Sequence, residues 1–387
     1  MSSRAEPPSR TATRPPAGLP GLDARFSRIL QVPGAGADAG RTRGWHVLDN
    51  GPELERLGRA VVGTTLAVHG NPTWSYLWRD LVRAATAQAE AGGSAWRVIA
   101  VDQLEMGFSE RTGVQRTLRQ RVADLGALTE AMGLEGPVVT LGHDWGGVIS
   151  LGWALAHPDE AVGLALCNTA VHHDDAVPIP RPLRIARARP VLSAASVSTT
   201  AFLDTTLALA KPALSEDVKA AYRAPYLGAG RRCGIGAFVA DIPAHSEHPS
   251  MPALRDIAES IRDLRLPALL LWGPEDPVFS DRYLDDLIDR LPHARVHRFE
   301  GAGHLLPEDA PVAPAVMSWL RDAVEPAPAP GATSTDDRAA PVSSLVPSPV
   351  PTTFRPFWAG LDERRDDPGV AVIDMAPPGG GAPRHVS

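Results

Sequence analysis

The chain has 387 residues, 44% hydrophobic and 21% charged, the composition of a folded protein with a sizeable core. Its 38 Lys and Arg against 45 Asp and Glu give a net charge of −7, so the chain as a whole has no electrostatic reason to bind nucleic acid or an anionic membrane. No apolar run reaches transmembrane length, and the two cysteines, Cys167 and Cys233, form neither a disulfide framework nor a zinc-ligand spacing; a cytoplasmic protein without metal or other cofactor is predicted.

Residues 1–20 are rich in Arg, Ser and Pro and nearly free of large apolar side chains, which predicts a disordered terminus. Strand and helix signals then alternate, predicting an α/β fold with a mostly parallel sheet. The strand candidates are short, apolar and β-branched: 61–70, 96–102, 137–144, 162–168, 267–273 and 294–301. Over 117–132, Leu118, Val122, Leu125 and Leu128 recur at helical spacing. The alternation lapses over 171–262, a stretch too long for an ordinary loop, which predicts a cap inserted between core segments 21–170 and 263–324. Residues 325–353 alternate Pro, Ala, Ser and Thr in the manner of a linker, and 354–387 hold one short helix and one strand, too little for a core of their own.

Four of the strand candidates end in residues that carry chemistry. The first closes on His69-Gly70-Asn71-Pro72, where the Asn71 amide is a candidate anion donor, although a turn with aromatic packing behind it has the same letters. After the apolar strand 138–141 comes Gly142-His143-Asp144-Trp145-Gly146-Gly147, followed by an apolar helical run. Small residues at fixed places permit a sharp strand-to-helix turn that pushes the central side chain into a cleft. Here that residue is Asp144, a carboxylate able to attack carbon and kept ionised by the helix N-terminus, with the Trp145 indole as a second donor. A plain Asp N-cap would read the same in isolation. The later strands end in Trp272-Gly273-Pro274-Glu275-Asp276 and Gly301-Ala302-Gly303-His304. The order nucleophile, acid, histidine predicts that Asp276, in preference to Glu275, orients His304 as a general base. His172-His173-Asp174-Asp175 has the letters of a metal cluster, but adjacent residues point apart, which predicts a solvated cap entrance. His143 reads as a packing residue, and His245 and His248 as structural ones.

The set HGNPTWSYLW, GHDWGG, WGPEDPVF and GAGH resembles the haloalkane dehalogenase branch of the α/β-hydrolases over roughly residues 40–323. Within that branch, Asn71 together with an acid after the later strand is similar to the β-lactone decarboxylases of olefin biosynthesis, as are the cap segments YRAPY and FVADIPAHSEHPS. The resemblance implies conversion of a cis-3-alkyl-4-alkyloxetan-2-one, an apolar substrate, to a cis-alkene and CO2, without a cofactor. It implies Asp144 as nucleophile, His304 and Asp276 in support, and Asn71 and Trp145 as the oxyanion site. Ring opening at the carbonyl and at the ring carbon both stay open. The tail FWAGLDERRDDPGVAVIDM is similar to the opening of an acyl-AMP-ligase-like domain, which implies a fused or associated β-lactone synthetase and other olefin-pathway enzymes as partners. One departure is the turn Asp102-Gln103-Leu104-Glu105-Met106-Gly107, where the family usually carries a glycine-rich turn; Glu105 is expected to alter the edge of the site. A haloalkane dehalogenase and a catalytically silent assembly module are the alternative readings.

Overall fold

The computed structural model describes residues 10–134, 136–172, 184–185 and 187–325. The linker beyond Glu325, the 354–387 segment and His173, Asp174 and Asp175 lie outside the described residues. Eight strands form one sheet in the order β1-β2-β4-β3-β5-β6-β7-β8. Six of them are the expected strands: β3 (Val61–Val68), β4 (Ala95–Val101), β5 (Val138–His143), β6 (Ala161–Cys167), β7 (Ala268–Trp272) and β8 (Arg295–Arg298), all parallel to their neighbours within this set. The other two, β1 (Ser27–Pro33) and β2 (Thr42–Asp49), form an antiparallel pair docked on β4.

Between the strands run α1 (Gly51–Arg56), α2 (Arg79–Glu90), α3 (Leu118–Ala131) and α4 (Trp145–Ala156). The cap follows β6 with α5 (Ala201–Leu207), α6 (Glu216–Arg223) and α7 (Ala229–Ala240), and the chain continues with α8 (Met251–Ser260), α9 (Asp281–Arg290) and α10 (Val312–Trp319). The interior strands are apolar throughout because both faces are covered, and Leu66, Val98, Leu141, Leu164 and Leu270 are wholly buried. Helix α4 is apolar all round for the same reason, with Val148, Ile149, Leu151 and Trp153 buried. Helix α8 falls inside the segment predicted as cap but packs on α3 and α4, so it serves as the crossover returning the chain to β7.

Residues 10–20 depart from the predicted disorder. The Thr13 N–H donates to the Phe108 carbonyl (3.0 Å), the Arg111 N–H to the Arg10 carbonyl (2.7 Å) and the Tyr76 hydroxyl to the Pro20 carbonyl (2.6 Å). Backbone groups hold this segment to the core, a source of order that side-chain composition does not report.

A buried ion cluster fixes the loop after β4. Arg116, 1% exposed in its side chain, meets Asp124 (2.7 Å), Glu105 (3.1 Å) and Asp38. Asp38 also meets Arg43, which reaches Glu110 at 2.8 Å. The β1–β2 connection, the loop after β4 and α3 thus share one network. Replacing Arg116 with Met leaves three buried carboxylates short of a cation and is expected to cost about 3–5 kcal/mol in urea unfolding; a loss below about 1 kcal/mol contradicts this role.

Candidate active site

Asp144 stands between β5 and α4 with φ 52° and ψ −126°, a conformation strained for a residue with a side chain. The strain is held by close packing around it. A Cβ on Gly146 would strike the Val68 carbonyl, and one on Gly142 the backbone of Gly146, so neither position admits a larger residue. The Asp144 N–H donates to the Asn168 carbonyl (3.1 Å), and the Asp144 carbonyl accepts from the Thr169 hydroxyl (2.6 Å) and the Gly147 N–H (3.0 Å). Its carboxylate accepts the Asn71 backbone N–H at 2.8 Å. Burial pushes the Asp144 carboxyl above its ordinary value, while His304 and the N–H groups of Trp145 and Asn71 pull the other way. The helix N-terminus therefore offsets only part of the burial penalty, a correction to the sequence-based expectation.

Asp276 and His304 meet as expected from chain order: His304 Nδ1 donates to Asp276 Oδ2 at 2.9 Å. Glu275 turns outward to Lys211. Asp276 also accepts the Val278 N–H (2.7 Å) and the Asn168 amide (3.0 Å). Asn168, with φ 32°, binds the Gly273 N–H (2.8 Å) and carbonyl (2.9 Å) with the same side chain, so it ties the end of β6 to the turn that carries the acid. Burial works against ionised Asp276, but His304 brings it below the ordinary carboxylate value. Burial likewise works against His304, yet the Asp276 carboxylate, with Asp144 beyond it, pushes His304 up to about 9. His143 is lowered to about 3, chiefly by burial, and its Nε2 donates to the His304 carbonyl (2.7 Å); it holds the loop and stays neutral.

Asn71, Asp144 and Trp145 line a cavity that is partly open to solvent. Its other walls are mostly apolar, with Leu118, Val148, Phe202, Val239, Ile242, Leu254 and Phe279 among them, and His172 and Tyr283 complete the lining. The Asn71 amide donates to the Ile235 carbonyl of α7 at 3.3 Å. Trp145 meets Phe238 of α7 edge-on, with ring centres 5.6 Å apart. Glu105, expected at the site's edge, turns instead to Arg116 and to the Thr112 N–H (2.7 Å), at φ 74°. His248 bonds the Ala240 carbonyl at 3.2 Å. The five predicted residues thus gather in one place. Sequence reasoning missed Asn168, whose tie to Asp276 spans 108 residues, and Phe238, whose ring partner Trp145 lies on the core helix α4.

A sequence profile of the α/β hydrolase fold matches residues 66–311. The chain is 31% identical over 268 residues to a cis-3-alkyl-4-alkyloxetan-2-one decarboxylase from Shewanella oneidensis, covering 67% of this chain and 82% of that protein. It is 32% identical over 296 residues to the enzyme of the same name from Xanthomonas campestris pv. campestris, covering 70% and 91%. Haloalkane dehalogenase 2 of Mycobacterium tuberculosis is 29% identical over 259 residues, covering 64% and 83%. Among solved structures, haloalkane dehalogenase DpaA from Paraglaciecola agarilytica superposes with a TM-score of 0.66 at 21% identity, covering 80% of this chain and 98% of that one, a likeness of fold.

Because the His304 value in the fold, about 9, lies above the ordinary 6.5, its charge stabilises the protein below about pH 6.5, and this contribution is lost as pH rises through about 9. Asp276→Asn removes the partner. The His304 titration, followed by imidazole NMR, is expected to fall well below 9, and the variant's unfolding free energy is expected to change less than wild type between pH 6.5 and 9. An unchanged titration contradicts the pairing.

Proposed function

Since the chain belongs to the α/β hydrolase fold family, and within it to the cis-3-alkyl-4-alkyloxetan-2-one decarboxylases, we propose that it turns a cis-dialkyl β-lactone into a cis-alkene and CO2 with Asp144 as nucleophile. The reading rests above all on a carboxylate in the elbow position, aimed into an apolar cavity beside Asn71 and Trp145. A strained four-membered ring with two alkyl chains needs apolar walls for the chains and hydrogen-bond donors for the oxygen that gains charge.

Two ring openings fit these groups. In one, Asp144 attacks C4, the C4–O bond breaks, and the freed carboxylate on C3 stands beside the Asn71 and Trp145 donors. The C3–C2 bond then breaks to release CO2, its electron pair forms the C3=C4 bond, and the Asp144 carboxylate leaves C4 unchanged. No water is consumed and no net proton moves. Attack from the side opposite the ring oxygen followed by anti departure keeps both alkyl groups on one side, as a cis-alkene requires. In the other opening, Asp144 attacks the carbonyl and leaves an alkoxide on C4, for which protonated His304 is the nearby acid. In both, cationic His304 lowers the energy of the carboxylate beside it.

A haloalkane dehalogenase would use the same residues differently, with a neutral His304 activating water against the Asp144 ester. The tail's likeness to an acyl-AMP-ligase-like domain supports a β-lactone synthetase, fused or associated, as the enzyme that makes the substrate. Work in the cytoplasm belongs to the same proposal and is supported by two cysteines that are both free. Among the described residues, no helix is long and apolar enough to cross a membrane.

The test is product analysis of the purified protein supplied in parallel with a cis-dialkyl β-lactone and a bromoalkane. Alkene and CO2 are expected from the lactone, with Asp144→Ala slower by about 10³-fold or more. Bromide release without alkene makes the protein a dehalogenase, and turnover retained in Asp144→Ala removes the carboxylate from the mechanism.

A further inference from the structure

Helix α7 presents one stripe of side chains to the site. Ile235 and Phe238 are three residues apart and share a face, and Asp241 caps the C-terminus of the helix. The Ile235 carbonyl holds the Asn71 amide at 3.3 Å, and the Phe238 ring meets the Trp145 indole at 5.6 Å and 69°. One cap helix therefore touches both candidate oxyanion donors.

Arg121 of α3 stands behind the middle of this stripe. Its side chain is 2% exposed, and Nε, Nη1 and Nη2 are all buried without a hydrogen-bond partner among the described residues. The nearest carboxylate contact is Asp241 Oδ2 at 4.0 Å, beyond hydrogen-bond length, and Asp241 spends its other oxygen on the Ser250 hydroxyl at 2.6 Å. What the guanidinium does meet is the face of Phe238, with Cζ 3.3 Å from the ring centre. A buried cation without acceptors is costly, and a Met or Leu would dock the cap on α3 at less expense. A cation over an aromatic face adds a directional attraction that apolar packing lacks, and an edge-on aromatic contact passes an orientation from one ring to the next.

We propose that Arg121 is a positioning residue for the oxyanion site, holding the Trp145 indole in place through the ring of Phe238. The inference rests on Trp145 serving the proposed reaction, but its geometric part can be read without turnover. Arg121 touches no substrate and acts only through Phe238. The charges around it are Arg116, Asp124 and Glu105 on the core side and Asp241 on the cap side; burial lowers Arg121 only to about 10, so it remains a cation at neutral pH.

The experiment uses the full chain with ¹⁵N-labelled tryptophan, the Trp145 indole N–H resonance being assigned by its loss in W145F. In R121M, which keeps an unbranched stem and removes the charge, the resonance is expected to shift and kcat on a cis-dialkyl β-lactone to fall about tenfold, with KM within about twofold. R121K keeps a cation over the ring and is expected to hold the wild-type resonance and kcat within about threefold. F238L is expected to reproduce R121M, and adding R121M to F238L to change nothing further. An R121M protein that loses only thermal stability, with resonance and kcat at wild-type values, overturns the inference. So does an R121K variant as impaired as R121M. If R121M does not fold, F238L and R121K are read by the same criteria. A wild type that makes no alkene defeats the proposed function, and the resonance then decides the positioning role by itself.

Discussion

The site depends on keeping two carboxylates and one imidazolium out of water at once. Asp144, His304 and Asp276 are all buried, and each lies in the field of the others. Burial alone would neutralise all three. Cationic His304 between two carboxylates makes the ionised forms tolerable, and the rest of the machinery keeps it there. Asn168 and the Val278 N–H fix one side of Asp276, and neutral His143 fixes the loop that carries His304. The strained turn at Asp144 fixes the third member.

Much of this was legible in the sequence because it is encoded locally. Gly142 and Gly146 each lie two residues from Asp144, the strand ends are marked by apolar runs, and the three catalytic candidates follow the ends of β5, β7 and β8. What stayed hidden is encoded by pairs far apart in the chain. Strand β2 reads as polar, with Arg43, His46 and Asp49, because their partners lie elsewhere: His46 bonds Asp102 at 2.7 Å, and Asp49 bonds Arg97 at 2.9 Å. Glu105 is expected at the edge of the site because it follows a strand end, but Arg116, which claims it, carries no motif. Residues 10–20 failed a composition argument for a different reason, since main-chain groups hold them and these leave no trace in side-chain identity.

The cap is tied to the core by polar side chains as well as by apolar packing. The Tyr222 hydroxyl of α6 reaches Glu308 at 2.5 Å, and Glu308 in turn pairs with Arg79 at the start of α2 (2.9 Å for one of its two contacts). Tyr226 bonds the Thr73 carbonyl at 2.8 Å, just after Asn71. These ties place the cap against the loop that carries one anion donor, so the roof of the cavity and its floor are set by a shared group of residues.

The turn at residue 144 separates aiming from reacting. Its backbone is set by what cannot grow at 142 and 146, by the Val68 carbonyl and by Thr169, none of which depends on the side chain at 144 itself. A hydroxyl, a thiol or a carboxylate hung there would point along the same line into the same space. The scaffold therefore fixes where the reactive atom stands, and the side chain at 144 fixes which atom it is.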